Sequence, residues 1–304
     1  MLKRAIWLLQ VVVLYGFTWL VALLPEESAD HLGTQVGLLM RRVLVGRRRI
    51  AEENIAASLA SMRQQPNWGG GDATAEELAR QVFCNIGRSL VESCRLYHGR
   101  GDDLIDRIEV LGMEHYQAAR AMGKGLIFLT GHCGNWELSA LAFARLFDAP
   151  ITVVARRQNN PYLNRMVERM RIHYDNRVIY KDNAMKNIMA VIRKNGVIGL
   201  LVDQAVFPQE GCLIEFLGRK AWASRAPVFL ARKTGVPVLP AFIHREGTRH
   251  VIELSPAVTF SGDPSDVGWQ ADVQQYSHAI EQCITAHPTE WYWVHRRWKR
   301  TEQV

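Results

Sequence analysis

The sequence lacks the motifs of several common enzyme classes. It contains no GxSxG turn, so the signature of a serine hydrolase is missing. It has no GxxxxGK[ST] loop, and no GxGxxG follows a predicted strand, so nothing indicates a phosphate loop or a dinucleotide fold. No histidine pair has the HExxH spacing of a helical zinc site. The function must therefore be sought in other side-chain patterns.

Cysteine pairs are also missing, and acidic residues are scarce in one region. The five cysteines form no CxxC pair, and their odd number provides no disulfide framework, which favours a reducing compartment. No acidic residue occurs from 31 to 51, where five arginines lie close together at 41–49. A second basic cluster, WYWVHRRWKR at 291–300, is mixed with four aromatics. The net charge of +7 favours an anionic partner but does not choose among nucleic acid, anionic lipid and acidic protein.

Charge is absent from residues 5–24 (AIWLLQVVVLYGFTWLVALL), a run of 20 residues that would be about 30 Å long as a helix. Lys3 and Arg4 precede the run, and Pro25 follows it. The run is longer than the apolar part of a signal peptide and ends in no small-residue cleavage motif. It predicts a retained membrane anchor over residues 1–30, spanning the membrane or lying in its plane. The alternative is a buried core helix.

The next part of the chain predicts helices. Residues 31–60 form one helical pattern, typical either of an interfacial helix or of an amphipathic helix on a core. Residues 61–75 have the glycine and proline content of a loop, and TAEE at Thr74 is a capping box that starts a helix to about Tyr97. We expect residues 31–107 to be the helical first part of a single domain that covers residues 31–304.

From residue 108 the pattern changes to alternating strands and helices. GLIFLTG (125–131), ITVVARR (151–157) and VIGLLVDQ (197–204) are apolar runs typical of buried strands. This alternation predicts an α/β fold with a mixed, largely parallel central sheet flanked by helices, behind the N-terminal anchoring helix. Ligands of such sheets bind beyond the carboxyl ends of the strands, where His132, Arg156 and Asp203 would lie.

The stretch LIFLTGHCGNWEL (126–138) contains a possible acid–base pair. Asn135 is expected to cap a helix whose first turn holds Trp136 and Glu137, and a carboxylate there stays ionised. Glu137 could accept a hydrogen bond from one ring nitrogen of His132 and leave the other as a general base for a hydroxyl that attacks a carbonyl. A capping glutamate beside a turn histidine is the alternative, and the five-residue spacing alone does not decide.

Several blocks, in order, resemble the late acyltransferases of lipid A biosynthesis, the lauroyl/myristoyl transferases of the HxxxxD/E superfamily. GHCGNWEL resembles their HxxxxE block, VVARRQNNP (153–161) the block with an arginine at Arg156, and LLVDQAV (200–206) with EGCLIEFLGRKAWAS (210–224) the block with Asp203. ARKTGVPVLPAF (231–242) and EWYWVHRRWK (290–299) resemble later blocks, so the resemblance covers about 5–299. Arg157 stands where the family often has proline, which leaves open which arginine acts.

The resemblance implies transfer of a fatty acyl chain from acyl carrier protein to a hydroxyl on a 3-hydroxyacyl chain of a lipid A precursor. His132 would be the general base and Glu137 would orient it, while backbone N–H groups of residues 134–136 would bind the oxyanion. No metal or redox cofactor is needed. The residues expected to bind substrate are Arg156, Asp203, Asn135 and Trp136.

The same resemblance implies a place at the bacterial inner membrane, with the catalytic domain on the cytoplasmic face. Acylation of another membrane lipid, a glycerolipid or an aminolipid, is the alternative function. A nucleic-acid partner is disfavoured because the basic residues flank an apolar anchor and no recognised motif is present.

Three details have two interpretations each. Arg156 could bind a substrate phosphate or form an ion pair with Asp203. WYWVHRRW could be an aromatic belt at the membrane interface or a closure of the core. REGTR (245–249) resembles the phosphate-binding EGTR motif of glycerolipid acyltransferases, but it lies 113 residues after His132 and is expected to be a polar turn between two strands.

Overall fold

The computed structural model describes residues 2–155, 157–180 and 184–301. Four long helices come first: α1 Leu2–Ala22, α2 Glu26–Val43, α3 Val45–Arg63 and α4 Ala75–Tyr97. The helices that follow are interleaved with strands: α5 Asp102–Asp106, α6 Met113–Ala121, α7 Trp136–Phe147, α8 Pro161–His173, α9 Ala184–Arg193, α10 Ala226–Thr234 and α11 Asp266–Ala286.

The described strands form a seven-stranded sheet and a separate hairpin. The sheet strands are β1 Glu109–Leu111, β2 Leu126–Thr130, β3 Ile151–Ala155, β4 Arg177–Tyr180, β5 Val197–Leu201, β8 Val238–Glu246 and β9 Arg249–Leu254, and the hairpin strands are β6 Gly211–Phe216 and β7 Arg219–Ser224. The sheet order is β1-β9-β8-β2-β5-β3-β4, and only the β8–β9 pair is antiparallel. The predicted α/β class with a mixed, largely parallel sheet is confirmed.

Helices cover both faces of this sheet, which explains why its central strands read as continuous apolar runs. Side chains alternate between the faces along β2. Ile127 and Leu129 belong to one buried cluster, which includes α3, α4, α10 and α11, while Leu126 and Phe128 belong to the other, which includes α7 and α8. Polar side chains that could act on a substrate are therefore found at the ends of the strands and not within them.

Capping signals in the sequence place several helix starts correctly. Thr74 and Glu77 form the predicted capping box at the start of α4, with the Thr74 N–H 2.8 Å from the Glu77 carboxylate. Asn160 caps α8 by accepting from the N–H groups of Tyr162 and Leu163, and Pro161 occupies the first turn. These local hydrogen bonds satisfy N–H groups that have no partner inside the helix.

The single helix expected over 31–60 is wrong, because the chain bends at Leu44 between α2 and α3. Both halves touch α4, but their other contacts differ. α2 packs along α4 through buried Gly33 and Gly37, whereas α3 packs on the core and donates from Asn54 Nδ2 to the carbonyl oxygen of Trp293 at 3.0 Å. One straight helix could not satisfy both contacts.

The α2–α4 contact depends on glycine, and this leads to a stability prediction. A Cβ atom at Gly37 would overlap the Phe83 carbonyl oxygen, so the two backbones would have to separate. We expect Gly37→Ala to lower the free energy of unfolding by about 2 kcal/mol or more, as overpacking does. Denaturant unfolding in detergent measures this change.

Gly46 provides a matched control for that substitution. It also lies in a helix, in the first turn of α3, but its Cβ would meet nothing within 4 Å. Gly46→Ala should be neutral or stabilising by up to about 1 kcal/mol, because alanine favours the helix. Equal effects of the two substitutions would show that the α2–α4 backbones do not approach this closely.

α1 keeps most of its apolar surface exposed. Residues 3–22 are long and apolar enough to cross a membrane, and 17% of the most apolar 18-residue window is buried. A few contacts hold the helix on the domain, including Thr18 Oγ1 with His98 Nε2 at 2.9 Å and Asn160 Nδ2 with the Trp7 carbonyl oxygen at 3.2 Å. The exposure does not fit the core-helix alternative, and α1 is a candidate membrane anchor.

The aromatic cluster near the C-terminus closes the core. Trp291, Trp293 and Trp298 are buried and pack in the cluster that covers one face of the sheet. The interface-belt interpretation is therefore wrong for these three side chains, and the core-closure interpretation is confirmed. This cluster also brings the end of the chain next to the loop after β2.

Candidate active site at the ends of strands β2 and β5

His132 and Asp203 lie side by side because their strands are neighbours in the sheet. β2 and β5 are parallel, with Thr130 paired to Leu201. His132 and Asp203 each follow that pair by two residues, so both leave the sheet at the same level. The predicted gathering of polar residues at the carboxyl edge is confirmed for these two residues.

Asp203 accepts three hydrogen bonds in a buried position. Its Oδ1 lies 2.8 Å from His132 Nδ1, and its Oδ2 accepts from the His132 backbone N–H at 3.0 Å and from the Trp291 indole at 2.8 Å. Burial alone would raise the pKa of this carboxyl, which is only 2% exposed, but the charge and hydrogen bonds of His132 and the indole N–H outweigh it and lower the pKa. The carboxylate is therefore ionised and can hold the His132 ring with Nδ1 as the donor.

The other ring nitrogen of His132 has a free lone pair when Nδ1 carries the proton. The ring packs edge-to-face on Trp136, with centroids 5.1 Å apart, and Tyr292 lies 6.2 Å away. The amide nitrogen of Gln204 lies 3.3 Å from Nε2 and 3.5 Å from Nδ1. These nearly equal distances place the amide off the direction of the Nε2 lone pair. The imidazole can therefore accept a proton at Nε2.

Glu137 does not make the hydrogen bond to the His132 imidazole that the five-residue spacing in the sequence suggested. It lies in the first turn of α7, as predicted, but its Oε1 is 3.3 Å from Arg171 Nη2 on α8. The expectation that Glu137 is the hydrogen-bond partner of His132 is wrong, because Asp203 occupies that position at Nδ1. Glu137 and His132 still line the same cavity.

Asn135 has the capping role expected of it. Its Oδ1 accepts from the Leu138 N–H at 3.1 Å, and its Nδ2 donates to Glu92 on α4 at 2.8 Å. Burial would raise the pKa of Glu92, but the hydrogen bond from His250 and the charges of His250 and Arg245 lower it strongly. A buried ionic network therefore fixes the start of α7.

Arg245 belongs to the REGTR sequence, and its place decides between the interpretations of that motif. Its guanidinium lies 2.8 Å from Glu92 and is largely buried, while Gly247 and Thr248 form the turn between β8 and β9. The expectation of a polar turn joining two strands is confirmed. Because the Arg245 guanidinium is paired with Glu92 in the protein interior, its role is structural and not the binding of a phosphate.

The second arginine block is described only in part. Arg156 lies outside the described residues, so neither its substrate contact nor its ion pair with Asp203 is tested. Arg157 is described, and its guanidinium stacks 4.0 Å from the centroid of the Tyr180 ring. Both arginines follow β3, which is the neighbour of β5 in the sheet.

A cavity of about 230 Å³ opens beside His132. Its wall combines Trp136 and Glu137 from α7 with residues of β3, β5 and α8. A narrower apolar cleft of about 50 Å³ continues from Trp136 and Leu201 between α7 and the sheet, towards Phe143 and Phe147. The arrangement thus puts a proton acceptor in the wall of a cavity that shares Trp136 and Leu201 with an apolar cleft.

The sequence matches the family described as bacterial lipid A biosynthesis acyltransferase over residues 1–300. The chain belongs to this family. It is 23% identical over 285 residues to a lipid A biosynthesis lauroyltransferase of Escherichia coli (strain K12), which covers 93% of this chain and 89% of the relative. It is 21% identical to a lipid A biosynthesis palmitoleoyltransferase of the same organism, with the same coverage.

A phosphatidylinositol mannoside acyltransferase of Mycobacterium tuberculosis (strain CDC 1551 / Oshkosh) is also similar, at 25% identity over 200 residues, or 64% of this chain and 60% of the relative. The activity of the chain is therefore acyl transfer, and its known relatives include acyltransferases with more than one kind of lipid acceptor.

The segment around Trp291 and Tyr292 packs against the loop that carries His132 and stabilises it. The Tyr292 N–H donates to the His132 carbonyl oxygen at 3.0 Å, and the Gly134 N–H donates to the Glu290 carbonyl oxygen at 2.9 Å. The Gly134 N–H is therefore engaged, and the expectation that it binds an oxyanion is wrong. Sequence reasoning missed Trp291 and Tyr292 as site residues, although a buried carboxylate such as Asp203 requires donors of this kind.

One group of side chains has the composition of a metal site. Ligand-type atoms of His244, Glu253 and His287 lie within 4.8 Å of one another. The two imidazole rings are stacked, with centroids 3.6 Å apart and planes inclined by 14°. The nitrogen lone pairs of two such rings lie in nearly parallel planes and do not converge on one ion. We therefore assign no metal to this group.

Proposed function

We propose that this enzyme transfers a fatty acyl chain from acyl carrier protein to a hydroxyl on a 3-hydroxyacyl chain of a lipid A precursor. The observation that carries the proposal is the His132–Asp203 pair, held at 2.8 Å beside an aromatic-lined cavity. An alcohol is a poor nucleophile near neutral pH, so a positioned base is required. The family supplies the class of acceptor.

In the proposed reaction, the acceptor hydroxyl lies against His132 Nε2 and its oxygen attacks the thioester carbonyl carbon. Nε2 takes the hydroxyl proton as the carbon–oxygen bond forms. The tetrahedral intermediate then breaks its carbon–sulfur bond, and the imidazolium returns the proton to the leaving sulfur. The products are an ester and the free carrier-protein thiol. Asp203 holds the tautomer and stabilises the imidazolium.

The oxyanion of that intermediate needs donors near the start of α7. The first N–H groups of a helix have no partner within the helix, and they point towards a negative charge. Because the Leu138 N–H is capped by Asn135 and the Gly134 N–H is engaged, we assign this role to the N–H groups of Trp136 and Glu137.

Two charged residues complete the scheme. Arg156 is proposed to bind a phosphate of the donor's phosphopantetheine or of the acceptor, because it follows β3 at the edge where the ligand would lie. Glu137 is proposed to act with His132 by holding Arg171 against the wall of the same cavity. Trp136 would shield the reacting groups from water.

A second candidate acceptor is another membrane lipid. The similarity to a phosphatidylinositol mannoside acyltransferase favours this alternative. The cavity beside His132 would accept the hydroxyl of either acceptor by the same chemistry.

Transfer assays with the purified full chain separate these acceptors. Radiolabelled acyl groups are offered on acyl carrier protein or on coenzyme A, together with a lipid A precursor or with a phosphatidylinositol mannoside. We expect ester formation on the lipid A precursor that depends on the carrier protein. The assay is run with precursors that carry Kdo sugars and with precursors that lack them, and ester formation on either form supports the proposal. Transfer only to the mannoside, or only from coenzyme A, would contradict it.

We also propose that residues 1–30 anchor the domain formed by 31–304 at the cytoplasmic face of the inner membrane. Leu9 and Val13 are 64% and 62% exposed and lie one turn apart on α1. Glutamates at both positions should release the protein into the soluble fraction, because a charge near the centre of a membrane helix costs about 3 kcal/mol. Fractionation of cells expressing Leu9→Glu/Val13→Glu measures the shift.

Val267→Glu is the matched control for the anchor. Val267 is even more exposed, at 75%, but it lies on α11 in the soluble part of the proposed arrangement. The control variant should stay with the membranes. If the α1 variant also stays there in full, the anchoring role is wrong.

A further inference from the structure

A second and larger cavity lies between α1 and α8. Its volume is about 790 Å³, and its walls come from α1, from α8 and from the turn after α4. Contacts at both ends of the groove hold α1 in place, through Asn160 with Trp7 and through Thr18 with His98. The cavity does not include His132 or Asp203.

α8 separates this cavity from the catalytic one. One face of the helix, with Asn164, Val167 and Arg171, lines the cavity beside His132. The opposite face lines the cavity beside α1 through Tyr162, Arg165, Met166, Arg169 and His173. The spacing of three and four residues on each face is that of a helix, so the two cavities lie about one helix diameter of 10 Å apart.

The polar side of the second cavity is strongly basic. Its described lining contains three arginines and two histidines and no acidic side chain: Arg100, Arg165, Arg169, His98 and His173. Arg165 and Arg169 are one turn apart on α8, and both are exposed. Paired guanidinium groups suit phosphate oxygens, which they can bind through two parallel hydrogen bonds.

The opposite wall is apolar and belongs to the candidate anchor. Leu8, Val12, Tyr15 and Trp19 lie along one stripe of α1 and stay about half exposed, although they line a cavity. A ligand that covers this wall must have a hydrocarbon chain, and a ligand that pairs with Arg165 and Arg169 of α8 must have a negatively charged group. Both features belong to one class of molecule, a phosphorylated amphiphile.

We propose that the cavity between α1 and α8 binds an anionic phospholipid of the bilayer, with its phosphate on Arg165 and Arg169 and an acyl chain along α1. The proposal rests on the membrane anchoring proposed above, but it is independent of the acyl-transfer chemistry. Bulk phospholipid fits because the exposed apolar face of α1 would put the groove at the membrane surface. The bound lipid would fix α1 against α8, whose other face forms the wall of the catalytic cavity.

Native mass spectrometry of the detergent-solubilised full chain, titrated with phosphatidylglycerol, tests this proposal. We expect Arg165→Gln/Arg169→Gln to weaken the binding by about a hundredfold, since each of the two lost charge-assisted contacts is worth about a factor of ten. Arg165→Lys/Arg169→Lys should lose less affinity than the glutamine variant, because it keeps both charges but lacks the paired hydrogen bonds of the guanidinium groups. Dioleoylglycerol, which has the chains but no phosphate, should not bind measurably.

The matched control removes two exposed cations elsewhere, through Arg193→Gln/Lys194→Gln at the end of α9. It should leave phosphatidylglycerol binding unchanged, and unfolding temperatures verify that all variants are folded. Equal binding by wild type and the α8 glutamine variant would overturn the proposal, as would an equal loss in the control. Displacement of phosphatidylglycerol by a lipid A precursor would assign the cavity to the acceptor and would also overturn it.

A failure of the acyl-transfer proposal looks different. In that case wild type would still bind phosphatidylglycerol in this experiment, while the transfer assays would yield no ester on the lipid A precursor.

Discussion

His132→Ala should lower kcat for acyl transfer by about 10³–10⁴, the upper part of the range of about 10²–10⁴ that the loss of a general base costs in rate. The acceptor hydroxyl would have no group at Nε2 to take its proton. The Asp203 carboxylate is buried on the far side of the imidazole position, with its Oδ2 held by the backbone N–H of residue 132 and by the Trp291 indole. KM for both substrates should change little. Initial rates with purified protein measure the effect.

His278→Ala is the control for a histidine-to-alanine change. His278 is exposed on α11 and pairs with Glu281. This variant should retain full activity. Near-normal transfer by folded His132→Ala, judged by its unfolding temperature, would rule out the base assignment.

Asp203→Asn should lower kcat almost as much, because it fixes the wrong tautomer. The His132 backbone N–H and the Trp291 indole both donate to Oδ2, so an amide oxygen is favoured at that position. The amide NH₂ then faces His132 Nδ1 and donates to it. The ring proton moves to Nε2, which can no longer accept a proton. The expected loss is about 10³–10⁴ in kcat, as in other histidine–aspartate pairs.

Asp272→Asn separates this effect from the general cost of changing a buried aspartate. Asp272 is also buried and accepts from Arg232 and from the Ser261 N–H, but it lies on α11 away from His132. The variant should lose stability while its folded fraction keeps kcat. If Asp203→Asn loses stability alone and keeps kcat, then Asp203 is a structural residue.

The parts of the fold that sequence reasoning predicted depend on local signals. β2 and β5 are apolar runs, and the starts of α4 and α8 carry capping residues whose hydrogen bonds span only a few positions. The strands of hairpin β6–β7 are joined by only two residues and were still not predicted, whereas α11 was not predicted because its partners are distant in sequence. For example, Gln274 on α11 exchanges hydrogen bonds of 2.9 Å with the backbone of Glu215 and so covers an edge of β6.

The sequence predicted that His132 and Asp203 lie at the same edge of the sheet, but not that they form a pair. His132 and Asp203 are 71 residues apart, and only the β2–β5 register brings them together. Glu137 is near His132 in sequence, which made it the apparent partner, but the direction of α7 carries its carboxylate towards Arg171. Trp291 could not be recognised without knowing that the C-terminal segment packs beneath this loop.

The role of His132 in acylating lipid A is tested by mass spectrometry of lipid A from cells in which the chromosomal gene is deleted and either the wild-type gene or the His132→Ala variant is supplied. Our expectation is that the wild-type gene restores one ester-linked acyl chain on a 3-hydroxyacyl group, and that the variant restores none although it is present in the membrane. Lipid A with unchanged acylation in the deleted cells, or full restoration by His132→Ala, would contradict it.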